Sequence, residues 1–197
     1  MAAAAAASEC NLDTLFTQTW TIVHDIVASS SPSLDNKDQS IITLAYIDID
    51  GQPSVCSVAL RASNSDLHML EFYSDLDSMK CKSVLRNNTK AQLLIWKAEE
   101  AIQLRLSVEL RLRHNDRKTE SLWETMSQQD RSHYGKRPST GTPIDGPCAY
   151  ETLSCKGKFT VVECHLQKID FLSLREMDFR AQFTKKDKEW IGQWISP

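Results

Sequence analysis

Leu12, Leu15, Phe16, Thr19, Trp20, Val23, Ile26 and Val27 recur at helical spacing, placing one apolar stripe on a helix over Leu12 to Ala28. Serines and Pro32 end it, and the polar stretch to Gln39 reads as a loop. From Ser40 the period shortens to two. Ser40–Ile47, Ser54–Arg61 and Leu67–Tyr73 read as strands separated by turns at Asp48–Gly51 and Asn64–Asp66. A short helix follows over Ser78–Arg86, then an apolar strand at Ala91–Trp96. The clearest strand is 101–113. Ile102, Leu104, Leu106, Val108, Leu110 and Leu112 share one face, and Gln103, Arg105, Ser107, Glu109, Arg111 and Arg113 share the other. One helix is predicted over Thr119–Tyr134, then a proline- and glycine-rich loop, a last clear strand at Gly157–Leu166, and one short piece within Arg180–Trp190. The fold class is mainly β with flanking helices. Closure into a small barrel protects the edges that such apolar strands would expose. Strand–helix–strand alternation of a doubly wound fold is absent.

Composition narrows the class. Of 197 residues, 41% are hydrophobic and 25% charged, the balance of a globular protein long enough to bury a core. A net charge of -3 gives no global attraction to nucleic acid. The 6 cysteines lie at irregular intervals with no CxxC pair, so free thiols are expected rather than zinc or a disulfide framework. The 5 histidines have no ligand spacing, and no metal site is assigned. No run is long enough to span a bilayer. Residues 1–10, MAAAAAASEC, lack the basic start and long apolar core of a secretory signal, so a flexible tail, a cytoplasmic location and a single domain over 11–197 are expected.

Candidate chemistry gathers at strand ends. Arg61 closes one strand, Tyr73 and Ser74 close the next, Lys80 begins the short helix, and Gln103 and Arg105 share the polar face of the long strand. Arginine, lysine and serine together suit a phosphate-bearing ligand, although solvated strand ends account for the same residues. Met79, Trp96 and Trp123 have the planar or polarisable character to flank a flat cofactor, and core packing is their more usual role. No nucleophile with an adjacent base is evident, so no catalytic side chain is assigned.

The order of several strings resembles the pyridoxine/pyridoxamine 5'-phosphate oxidase family, an FMN-binding split barrel, and within it a short, divergent branch near a plant-type second form. The strings are IITLAYIDIDGQPSVCSVALR at 41–61, EFYSDLDSMKCKSVLRNN at 71–88, IQLRLSVELRL at 102–112 and WETMSQQDRSHYGKRP at 123–138, with VVECHLQKIDFLSL, FRAQF and KEWIGQWISP to the end. The resemblance implies FMN held at a homodimer interface. It implies cofactor contacts from Val55, Cys56, Ser57 and Val58, from Tyr73 and Ser74, from Met79 and Lys80, and from Gln103, Arg105 and Arg180. For the substrate it implies Arg61, His133, Arg137 and Gly141.

The same resemblance exposes departures. Cys56 and Met79 stand where the family has arginines, Leu172 where it has tryptophan, and Glu176 and Asp178 near its substrate-binding arginine and histidine. His133 and Gly141 replace tyrosine and serine. The implied reaction is oxidation of pyridoxine or pyridoxamine 5'-phosphate to pyridoxal 5'-phosphate with molecular oxygen as acceptor. The alternatives are a flavin reductase, another FMN oxidoreductase of small molecules, or a non-catalytic flavin-binding dimer.

Overall fold

The computed structural model describes residues 11–30, 41–175 and 178–197. The expected tail 1–10, the loop at 31–40 and Glu176 lie outside them. Helix α1 (Leu12–Ser29) starts where the Asn11 side chain accepts a hydrogen bond from the Thr14 amide at 2.8 Å. It buries Leu15, Trp20, Ile22, Val23 and Ile26. The strands that follow are β1 (Ile41–Ile47), β2 (Pro53–Asn64) and β3 (Met69–Asp75). Between β1 and β2, the Asp48 carboxylate accepts from the Asp50 and Gln52 amides, both at 2.9 Å, and Gly51 takes φ +78°.

Helix α2 (Met79–Leu85) leads to β4 (Lys90–Lys97) and the long β5 (Ile102–Arg113). Chain order then runs through α3 (Arg117–Thr125), α4 (Gln128–Arg131), the short β6 (Lys136–Arg137) and β7 (Glu151–Thr152), and the 15-residue β8 (Phe159–Ser173). A hairpin of β9 (Phe179–Lys186) and β10 (Glu189–Ile195) ends the described chain. All pairings are antiparallel. The main sheet runs β10-β9-β8-β3-β2-β1-β4-β5, and β5 pairs again with β8, closing β8, β3, β2, β1, β4 and β5 into a barrel.

Strand β8 makes the barrel split. Its first half pairs with β3, its second half with β9, and β5 runs beside both halves with a register shift at Ser107/Val108. Leu44, Leu60, Phe72, Leu93, Leu104, Leu106 and Phe171 fill the interior at 0% exposure. The apolar face of β5 therefore serves the barrel's own core and is not offered to a partner, which the alternating pattern alone left open.

Three expected elements change. The single helix over 119–134 is two, because Met126 is extended and Ser127 caps a new turn, accepting from the Asp130 amide at 3.1 Å and donating to its carboxylate at 2.6 Å. Strand β8 continues to Ser173, seven residues past Leu166, since Lys168 and Asp170 alternate with Ile169 and Phe171 on the two faces. The C-terminal piece is a full hairpin, folded back at Asp187 with φ +54°. No described helix is long and apolar enough to cross a membrane.

Candidate functional site

Outside the barrel wall, β2, β3, the start of α2 and the loop after α4 line a solvent-open cavity of about 320 Å³. Outward-facing positions of β2 supply Ser57 and Arg61, with Val58 beside them; Tyr73, Ser74 and Asp75 come from the end of β3. Ser78 and Lys80 follow at α2, while His133, Tyr134, Lys136 and Thr140 form the opposite side. Arg61, Tyr73 and Tyr134 also line a neighbouring recess of about 210 Å³.

Two buried hydroxyls on the β3–α2 side bond to each other, Ser74 Oγ to Ser78 Oγ at 3.0 Å. Behind them, burial pushes the Cys81 thiol up despite hydrogen bonds with both serines. Burial, then Glu71, raises the Tyr73 phenol against the pull of Arg61, and burial holds Tyr134 well above an ordinary tyrosine. Both phenols thus remain protonated donors at neutral pH. Asp75 is the carboxylate in the wall, and its oxygens accept from the Asp77 and Gly135 amides, each at 2.7 Å.

The resemblance and the fold meet here. No family model matches the chain. A 71-residue stretch is 37% identical to pyridoxine/pyridoxamine 5'-phosphate oxidase of Xanthomonas oryzae pv. oryzae, covering 35% of this chain and 35% of that enzyme. The solved structure of a pyridoxamine 5'-phosphate oxidase-related, FMN-binding protein from Nostoc punctiforme superposes with a TM-score of 0.65 at 23% identity, over 80% of this chain and 88% of that one. PhzG from Burkholderia lata, solved with tetrahydrophenazine-1-carboxylic acid, also gives 0.65, at 16% identity over 94% and 92% of the two chains. The chain has the split-barrel fold of the pyridoxamine 5'-phosphate oxidase family.

Within this split barrel, seven of the residues expected to contact cofactor or substrate, Ser57, Val58, Arg61, Tyr73, Ser74, Lys80 and His133, line one cavity. The others do not. Val55 is 65% exposed and faces a separate groove over β1, β2, β4 and β5. Cys56 packs against the barrel core, where burial raises its thiol and the Lys80 charge opposes the rise. Met79 is exposed and outside the lining, as are Arg137 on β6 and Gly141, whose φ of +88° faces open space. Asp178 is exposed, and Leu172 pairs with Arg180. Of the three residues considered as cofactor flanks or core, Trp123 is buried, whereas Met79 and Trp96 lie on the surface.

Gln103, Arg105 and Arg180 form a second group on the wall of β5, β8 and β9. Arg105 Nη2 donates to Asp170 Oδ2 at 3.0 Å, while Arg180 Nε and Nη2 donate to the two Asp170 oxygens at 2.9 and 2.8 Å. Although burial pushes Asp170 up, the two guanidiniums together hold it below its ordinary value. The cross-strand row Ser57–Thr43–Leu94–Arg105 separates the two groups by three inter-strand spacings, roughly 14 Å of wall at about 4.8 Å each.

The cavity's donor set fits a phosphate-bearing flavin: three cations, Arg61, Lys80 and Lys136, stand with two buried serine hydroxyls and two protonated phenols. Sequence reasoning missed Asp75, Ser78, Tyr134, Lys136 and Asp170. Ser78 is legible as a residue before a short helix; the rest enter through contacts between distant segments and carry no local signal.

Proposed function

We propose that this split-barrel protein is an FMN-dependent oxidase of pyridoxine or pyridoxamine 5'-phosphate, forming pyridoxal 5'-phosphate with molecular oxygen as acceptor. The observation that carries the reading is the gathering of Arg61, Tyr73, Ser74, Lys80 and His133 around one cavity. Bound FMN supplies a hydride acceptor that oxygen regenerates, releasing hydrogen peroxide. The chain's own contribution is binding and orientation. Lys80 and the Ser74–Ser78 hydroxyl pair hold the cofactor phosphate, Arg61 and His133 bind the substrate from the facing sides of the cavity, and the Tyr73 and Tyr134 phenols donate without ionising. None of these groups needs to act as a covalent nucleophile.

A homodimer belongs to the same reading. Gln103, Arg105 and Arg180 lie outside the cavity of their own chain, so a second copy presenting its β5–β8–β9 wall would bring them to the cofactor. Sedimentation of the FMN-loaded protein as a monomer at micromolar concentration would remove this part.

A flavin reductase or another small-molecule FMN oxidoreductase is the second reading, favoured by Gly141 and Arg137 lying outside the cavity lining. Anaerobic stopped-flow reduction of the FMN-loaded protein by pyridoxine phosphate, pyridoxamine phosphate and nicotinamide donors separates the two. Reduction by the B6 phosphates with pyridoxal phosphate formed in air supports the oxidase. Reduction by nicotinamide alone replaces it, and tight FMN binding without reduction by any of them leaves a binding protein.

A further inference from the structure

A carboxylate in the wall of a cavity otherwise rich in cations and hydroxyls opposes an anionic ligand, unless its oxygens are already engaged by the protein. Asp75 is such a group. It ends β3 at 9% exposure, directly after Ser74. Its Oδ1 accepts from the Asp77 amide and its Oδ2 from the Gly135 amide, which lies 60 residues away between Tyr134 and Lys136. The first bond shapes the turn into α2, where Ser78 and Lys80 stand. The second joins that side of the cavity directly, at a buried contact, to the backbone that carries His133, Tyr134 and Lys136.

Gly135 is suited to receive it. With φ +80° it occupies the left-handed region, and an added Cβ would lie 2.5 Å from Cys155 Cβ. On its other side, the Leu153 amide donates to the Gly135 carbonyl at 2.8 Å and the Cys155 amide to that of Tyr134 at 3.1 Å. The turn is braced in turn by Lys158, which pairs with Asp77 at 2.8 Å and accepts from the Leu76 amide at 2.8 Å. One buried carboxylate thus joins the two sides of the cavity.

We propose that Asp75 is a positioning residue that sets the separation of the two sides, and through it the affinity for the phosphorylated substrate rather than for the cofactor. The proposal rests on the oxidase reading for the identity of that substrate, not for the link itself. Ser74, Ser78 and Lys80 keep their places through β3 and α2, whereas His133, Tyr134 and Lys136 follow the Gly135 backbone.

Two variants break the link from opposite ends. Asp75→Asn retains an amide oxygen for the Asp77 amide but sets an NH2 donor against the Gly135 N–H. Gly135→Ala leaves Asp75 intact and drives the loop away from Cys155. Both are compared with the unmutated, FMN-loaded protein by hydrogen exchange, FMN fluorescence titration and steady-state kinetics with pyridoxine phosphate. Expected are exchange at residue 135 and a KM each raised about tenfold, with the FMN Kd and kcat moving less than about threefold. Unchanged exchange at residue 135, or an FMN Kd that rises as much as KM, overturns the proposal. If the unmutated protein binds FMN without turnover, the oxidase reading alone falls. The link is then judged by exchange and by absorbance titration with pyridoxal 5'-phosphate: tenfold weaker binding in both variants supports it, and unaltered binding overturns it.

Discussion

Replacing Lys80 by alanine removes a half-buried ammonium from the wall of the cavity while disturbing little else. Lys80 takes part in no ion pair among the described residues, so its loss strands no carboxylate. It is the second residue of α2, where its side chain is not needed to cap the helix. Fold stability should therefore move by no more than about 0.5 kcal/mol, as for ordinary surface changes. A hydrogen bond from a charged donor contributes about 1.5–3 kcal/mol, or roughly 10- to 150-fold in affinity. Partial exposure screens the charge, which places the expected loss near the lower end, about tenfold in the FMN Kd at low ionic strength. Flavin fluorescence titration of the folded variant measures it directly. At about 1 M salt the screening length falls to roughly 3 Å, so the gap between Lys80→Ala and the unmutated protein should narrow. Lys80→Arg, which keeps the charge, should restore most of the affinity. A Kd within twofold of the unmutated value at low salt, with melting unchanged, would refute the placement of the flavin phosphate at Lys80 and the cofactor assignment built on it.

Cys56→Arg is expected to lose stability without tightening FMN. Its side chain packs against the core and is close enough to feel the charge of Lys80, so overpacking of about 1–3 kcal/mol and like-charge repulsion coincide; a higher melting temperature with a lower FMN Kd would contradict this. Leu104→Ala opens a cavity opposite Phe171, both residues at 0% exposure, and should cost about 2–5 kcal/mol by denaturant titration. Asp116 caps α3, and the Thr119 amide, then Arg113, lower its carboxyl from 3.8 to about 2. A depressed carboxyl contributes stability that is full above its unfolded value and fades as pH falls through its folded one. The destabilisation by Asp116→Ala, measured by thermal melts, should therefore be constant above about pH 5 and shrink from pH 4 toward pH 2. A difference unchanged down to pH 2 would mean that the carboxylate charge does not stabilise the cap.

The alternation of Ile102 to Arg113 and the helical stripe from Leu12 were legible because each repeats a local period, 2 or 3.6 residues, that a single element imposes on its own sequence. The turn at Asp48–Gly51 was legible for the same reason, since its bonds join residues two to four apart. Half of the cavity followed from the order of strands: Arg61, Tyr73, Ser74 and Lys80 lie close in sequence and fall together as β2 and β3 pair.

What sequence alone could not decide depended on long-range pairing. Which side of β5 faced a partner or a core was fixed only when β4, β5 and β8 closed around Leu104 and Leu106. Cys56 and Arg61 lie five residues apart on one strand, an odd separation that sends one toward the core and the other into the cavity. Asp75 and Gly135 are 60 residues apart, and nothing near either marks the bond between them. A strand's local chemistry determines its two faces; barrel closure determines what each face meets.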